Sequence, residues 1–231
     1  MLSDSSSKDM KSWPIRWWQA LSFCVCAYLI SILLVGFFST SSDDESTLRI
    51  GLLYMFSSMI LLVFTGLFLL FIKFSLKEFF GKFTVKQLIY IPIYYVGYVA
   101  LSKIAQSVIG LFPGVDVNQN QDFGLQSNSI TQLFIIFIAL VILPAITEEI
   151  IFRGLLYRSF RKPFGKVLAA ALISLLFGAA HGQWNVAADT FVLSLVLIYL
   201  VEKSNSLWPA ILLHLLKNSV AYLLVFVFKV A

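Results

Sequence analysis

Charge is scarce in this chain. Of its 231 residues only 13% are Asp, Glu, Lys or Arg, while 59% are hydrophobic. A soluble domain is charged at about a quarter of its positions. Too little polar surface is left to clothe an apolar core, which excludes a soluble globular protein and indicates an integral membrane protein. Histidine and cysteine are rarer still, at two each. Cys24 and Cys26 stand two residues apart in an apolar run and point to different sides of a helix, which argues against both a disulfide and a thiolate metal site. The net charge is +5, but the basic residues are scattered along the edges of apolar runs. That pattern orients helices in a bilayer and sets a nucleic-acid face aside. No internal repeat is visible. The apolar runs are also too long for a membrane barrel, whose strands need only about 9–11 residues. The fold class expected is therefore all-α, a polytopic transmembrane helix bundle.

Residues 1–12 (MLSDSSSKDMKS) read as a polar tail, and residues 13–231 as a single membrane domain. Apolar runs predict spans at about 17–38, 51–73, 88–112, 131–147, 166–182, 186–201 and 206–228. The count is about seven, or eight with a split or re-entrant segment. The first run is long for a signal-peptide core and no A-x-A site follows it, so it reads as an uncleaved anchor. The stretch KFSLKEFFGKF (73–83) mixes Lys with Phe, as an interfacial amphipathic turn or a basic loop would. Lys8, Lys11 and Arg16 precede the first span, Lys73, Lys77, Lys82 and Lys86 follow the second, and Arg158, Arg161, Lys162 and Lys166 follow the fourth. The intervening stretches STSSDDEST (39–47) and GVDVNQNQDFGLQSN (114–128) are acidic or neutral. The positive-inside rule then gives a multi-pass cell-membrane protein with a cytoplasmic N-terminus. The basic cluster behind the fourth span suggests a site that opens to the cytoplasm.

Polar groups at membrane depth are costly and tend to mark function. Three clusters stand out. In TEEIIFRGLLY (147–157), Glu149 and Arg153 are four apart with the acid first, the favoured order for a helical ion pair. Glu148 points about 100° away and lacks that partner. A desolvated carboxylate without a cation suits general acid–base work. Pro144 cannot donate to the carbonyl of Leu140, so the helix is free to distort there and admit water. In FGAAHG (177–182), His181 lies four residues after Phe177, whose ring can pack beneath the imidazole. In LWPAILLHLLKNSV (207–220), His214 and Asn218 share one helix face and can both donate toward one point, while Lys217 either snorkels or enters the cavity. Each cluster alone also fits a bland reading, as an interfacial ion pair or as polar glue between helices. Together Glu148, His181, His214 and Asn218 can meet in one cavity. This requires the fourth helix to run on to about residue 160, which sets Glu148 about 15 Å deep.

These residues resemble the CPBP family of CAAX-protease and bacteriocin-processing membrane proteins, also called Abi. The motifs of that family are EExxxR, FxxxH and HxxxN/D on successive membrane helices. All three stand here in order, as Glu148-Glu149 with Arg153, Phe177 with His181, and His214 with Asn218, within a core of about residues 130–220. The resemblance implies an intramembrane endopeptidase without a cofactor. Glu148 would activate water and His181 would help to position it. His214 and Asn218 would stabilise the oxyanion. Glu149, Arg153 and Phe177 would support the site. The implied partners are the bilayer and a membrane-associated peptide or lipidated protein, from prenylated CAAX proteins to bacteriocin or signalling leaders. A zinc protease using Glu148, His181 and His214 is the alternative enzyme, though the chain has no H-E-x-x-H helix and no evident carboxylate behind either histidine. A non-catalytic regulator of a signalling or cell-envelope protein, and a transporter, are the other classes.

Overall fold

The computed structural model describes residues 13–39, 47–113, 129–182 and 184–229. Among them every regular element is helical. Helix α1 is Trp17–Ser39, α2 Thr47–Phe71, α3 Leu76–Phe80 and α4 Val85–Ile109. A long rod follows, made of α5 (Ile130–Phe137), α6 (Leu143–Glu148) and α7 (Arg158–Ala179), joined by π-helical turns at Ile138–Ile142 and Glu149–Tyr157. The bundle is completed by α8 (Trp184–Ser204) and α9 (Trp208–Tyr222), the latter extended by π turns over Leu223–Val227.

The stretches Trp17–Phe37, Leu48–Phe71, Leu76–Ile109, Ile130–Ala179 and Trp208–Val227 are long and apolar enough to cross a membrane. The expected fifth span is joined to the fourth in the longest of these stretches, Ile130–Ala179, and α8 lies outside the five. Length and apolarity thus identify five spans and do not by themselves give seven. The joined stretch is not straight. Gly165 has φ 75°, ψ 170° within α7, a left-handed value that glycine adopts without a Cβ penalty. There the chain reverses, so that the second half of α7 packs back on the π turns over Glu149–Tyr157.

The rod explains how a carboxylate pair can sit at depth. Pro144 lacks the N–H that an α-helix would give to Leu140 O, and the π turn at Ile138–Ile142 lies immediately before it. Asn218 Nδ2 donates to that carbonyl at 3.3 Å, and Tyr222 Oη donates to Leu133 O at 2.9 Å. Asn218 of α9 thus bonds the carbonyl that Pro144 cannot reach, and Tyr222 ties α9 to the start of the rod. The helix then continues beyond Thr147, as the depth argument requires, and Glu148 lies about 15 Å along the axis from Arg158.

One end of the bundle is closely packed. The segment at 73–83 holds a short helix rather than a plain loop, and Phe79 of α3 is fully buried while Lys77 and Glu78 are exposed. Gly154 meets the Phe79 ring so closely that a Cβ would overlap it. The Arg158 guanidinium lies over Trp13 and Phe79 at 5.5 and 5.3 Å, and Trp13 Nε1 donates to Ser159 Oγ at 2.8 Å. Leu207 N donates to Phe80 O at 2.9 Å, tying α3 to the start of α9. Glu202 pairs with Arg161 at 2.7 Å and Lys166 at 2.9 Å, which fixes the end of α8 at the basic reversal. On the other side of the bundle Gly178 lets α7 approach α8, where an added Cβ would come within 2.8 Å of Ala187 O. Ser174 Oγ bonds Ser194 Oγ at 2.9 Å across the same pair of helices, the small-residue packing common between membrane helices.

Candidate active site

The site grows from Glu149. Its side chain is fully buried, as is that of Arg153, and Arg153 Nη1 donates to Glu149 Oε1 at 2.7 Å. The i, i+4 ion pair read from the sequence is therefore present. The same oxygen also accepts from His214 Nδ1 at 2.8 Å. This second bond corrects the sequence reading, which found no carboxylate behind either histidine. It fixes the imidazole of α9 against the rod and turns Nε2 toward the cavity. Nε2 lies 3.8 Å from Glu148 Oε2.

Glu148 is placed differently from its neighbour. Its side chain keeps 23% of its exposure, and Oε2 has no hydrogen-bond partner in the structure. One carboxylate thus binds an arginine and a histidine through Oε1, and the adjacent one lines the cavity, while Oε2 of each is buried without a hydrogen-bond partner. A buried ion pair is retained only with good geometry and added hydrogen bonds, and Glu149 has both.

Phe177 organises the remaining groups. Its ring stands 4.8 Å from Phe152 and edge-on to it, 5.0 Å from His181 and 6.0 Å from His214. The Arg153 guanidinium lies over its face at 4.4 Å. That contact occupies the part of the guanidinium that Glu149 does not use, since Nε and Nη2 have no hydrogen-bond partner; cation–π attraction grows when both groups are desolvated. His181 Nδ1 bonds Phe177 O at 2.8 Å, so its Nε2 is the nitrogen left for other chemistry. Asn218 spends one amide hydrogen on Leu140 O and keeps a second. In the resting structure His214 and Asn218 therefore have different partners rather than one shared point.

Glu148, His181, His214 and Asn218 line a single cavity of about 650 Å³. A cavity of this size with a few convergent polar groups is the usual form of a binding site. Much of its wall lies outside the three motifs. Tyr28 of α1 and Tyr54, Ser57 and Ser58 of α2 face the motif helices across it. A polar Tyr-Ser-Ser patch at 54–58 in an apolar run was the signal available in the sequence. Asp189 of α8 was a stronger one, an acid within the apolar run at 186–201. Its Oδ1 accepts from Tyr98 Oη at 2.6 Å and from Ser102 Oγ. Its Oδ2 lies 3.9 Å from Lys217 Nζ. Lys217 lines the cavity, so it enters rather than snorkels away, and α4 holds it there through Asp189.

Among the described residues no group of three or more His, Cys, Asp and Glu side chains is arranged to hold a metal ion. The zinc alternative would need Glu148, His181 and His214 to converge; Glu148 and His214 approach to 3.8 Å.

Residues 130–220 match the family model described as type II CAAX prenyl endopeptidase Rce1-like. The matched region, less than half of the chain, runs from α5 to α9 and holds all seven motif residues. No curated protein and no solved structure matches the chain. The match supports a CAAX-type intramembrane protease in general, and the apolar helices support a multi-pass membrane protein.

Proposed function

We propose that this protein is an intramembrane endopeptidase that hydrolyses a peptide bond with water activated by Glu148. One observation carries the reading: the Glu148 carboxylate lines the cavity with His181, His214 and Asn218, beside a second carboxylate already held by Arg153 and His214. Such a cavity holds water where lipid excludes it.

In this mechanism Glu148 takes a proton from a water that His181 helps to position. The water oxygen bonds to the carbonyl carbon, and the oxyanion receives hydrogen bonds from His214 Nε2 and the second amide hydrogen of Asn218. Because Nδ1–H of His214 is committed to Glu149, the ring donates from Nε2 only when doubly protonated. The intermediate then collapses, the C–N bond breaks, and the proton held by Glu148 passes to the leaving amine. Preorganised donors of this kind are worth several kcal/mol in a dry site. Glu149, Arg153 and Phe177 are positioning residues. The chemistry asks for no cofactor. The substrate is a membrane-associated peptide or lipidated protein, and the protein works as a bundle of seven spans with a cytoplasmic N-terminus.

The test is comparative peptide profiling of membranes carrying the wild type or Glu148→Gln at equal levels. A product present with the wild type and absent with the variant is expected. Identical profiles would remove the proposal.

A further inference from the structure

The cavity holds a charge that the proposed reaction does not use. Lys217 stands on α9 between His214 and Asn218, and lines the cavity with them and with Glu148. Among the described lining residues it is the one with an amino or guanidinium group. It lies within Trp208–Val227, a stretch long and apolar enough to cross a membrane. A charged side chain in such a stretch is costly and tends to mark function.

The partner of Lys217 is held more tightly by others. Asp189 Oδ1 accepts from Tyr98 Oη at 2.6 Å and from Ser102 Oγ, and both donors are buried residues of α4. Those two hydroxyls fix the carboxylate in place. Lys217 Nζ reaches only the other oxygen, Oδ2, at 3.9 Å, beyond the length of a hydrogen bond. Asp189 thus gives the ammonium a counter-charge without occupying its N–H groups. An ammonium carries three donors on a flexible four-carbon stem. It can turn from Asp189 toward the cavity, and Asp189 then keeps its two hydroxyl partners. The arrangement is that of a cation held ready for a second anion.

We propose that Lys217 is a specificity-determining residue that binds a carboxylate of the substrate, with Asp189 as its resting partner. The inference rests on the endopeptidase reading. The carboxylate is either the C-terminal one of the peptide or that of an Asp or Glu side chain, since an ammonium meets both in the same way. The axis of α9 rises about 4.5 Å from His214 to Lys217, little more than one residue of extended chain. A carboxylate held by Lys217 therefore lies within a few residues of the scissile bond. A segment without one leaves the ammonium to Asp189 and binds more weakly.

The probe is a peptide whose cleavage depends on Glu148, made synthetically in three forms. One has a free C-terminus, one an amidated C-terminus, and one has each Asp and Glu near the cut replaced by Asn or Gln. The purified full chain is assayed as wild type, Lys217→Met and Lys217→Arg, and the melting temperature of each is measured. With the wild type, one of the two neutralised forms should show KM raised by about 10–100-fold, the worth of one charged hydrogen bond. That form identifies the carboxylate bound. Lys217→Met should raise KM for the unmodified peptide to a similar extent, and neutralisation and substitution together should raise it no further. Lys217→Arg should recover part of the loss, because it keeps the charge. If Lys217→Met does not fold, the three peptides compared on the wild type decide alone. Equal KM for all three forms, or losses from neutralisation and substitution that multiply, would overturn the proposal while Glu148-dependent cleavage still stands. Failure to find any peptide cut in a Glu148-dependent way would overturn the endopeptidase reading, and this inference with it.

Discussion

The two adjacent glutamates should separate cleanly into one that holds the fold and one that does chemistry. Glu149→Gln removes the charge that Arg153 Nη1 meets at 2.7 Å and His214 Nδ1 at 2.8 Å, with both Glu149 and Arg153 fully buried. Breaking a buried pair by removing one partner costs about 3–5 kcal/mol, because the other charge is left uncompensated. At about 2–4 °C per kcal/mol for a chain of this size, the melting temperature should fall by about 6–20 °C. Glu148→Gln is different. Its side chain is 23% exposed and Oε2 has no hydrogen-bond partner, so melting should shift little, while loss of a general base lowers the rate by about 10²–10⁴-fold. Glu149→Gln combined with Arg153→Met removes both charges. It should recover much of the stability, since replacing a whole buried pair is often neutral or better, without restoring full activity, because His214 still lacks its anchor. The assay is thermal unfolding of the detergent-solubilised protein, followed by size-exclusion fluorescence, beside cleavage of a substrate found by peptide profiling. The reasoning is refuted if Glu149→Gln melts like the wild type, or if Glu148→Gln destabilises as much as Glu149→Gln does.

Asn218→Ala should lower kcat by about 10²–10³-fold with little change in KM, as loss of an oxyanion donor does; an unchanged kcat would remove Asn218 from the machinery. Gly154→Ala should cost about 1–3 kcal/mol by overpacking against Phe79, and Phe79→Leu in the same chain should return part of it, measured as melting temperature. Phe177→Ala should cost about 3–5 kcal/mol, and should slow cleavage further than Gly154→Ala at matched folded fraction, because it releases both Arg153 and His181. Activity of the purified protein should survive exhaustive chelation; a loss restored by added zinc would favour the metal reading.

What could be read from the sequence was what lies within one helix. The Glu149–Arg153 pair, the edge-on packing of His181 against Phe177 and the need for the fourth helix to run past Thr147 all follow from local spacing. The effect of Pro144 was half legible. The open Leu140 carbonyl follows from the missing N–H, but the π turn beside it and its rescue by Asn218 depend on α9. Contacts between helices leave no such trace. Nothing in the spacing of residues 149 and 214 says that His214 Nδ1 will reach Glu149. Tyrosines and serines in an apolar run read as anchors or filler until α1 and α2 are seen to wall the cavity. Asp189 was the avoidable omission, since the rule that drew attention to Glu148 applies to it equally.

The same limit applies to distance along a helix. Charge along the chain tells which helix ends lie in the cytoplasm, and proximity in sequence put the basic cluster of 158–166 next to the Glu pair. A helix, however, separates its neighbours along the axis by about 1.5 Å per residue. Ten residues are enough to put a close-packed layer containing Leu155, Tyr157 and Phe79 between the carboxylate and the basic surface. The motif residues name a chemistry without its setting. The surroundings of the site are set by residues outside the motifs: Phe79 and Leu207 are buried near the basic reversal, and Tyr54, Ser58 and Thr190 line the cavity. If that division is right, a larger side chain at the basic reversal should leave the reaction untouched while one on the cavity wall should block it. Ser58→Trp should raise KM strongly at normal melting temperature, and a Trp in place of exposed Lys162 at the basic reversal should change neither. Equal inhibition by both would refute that division.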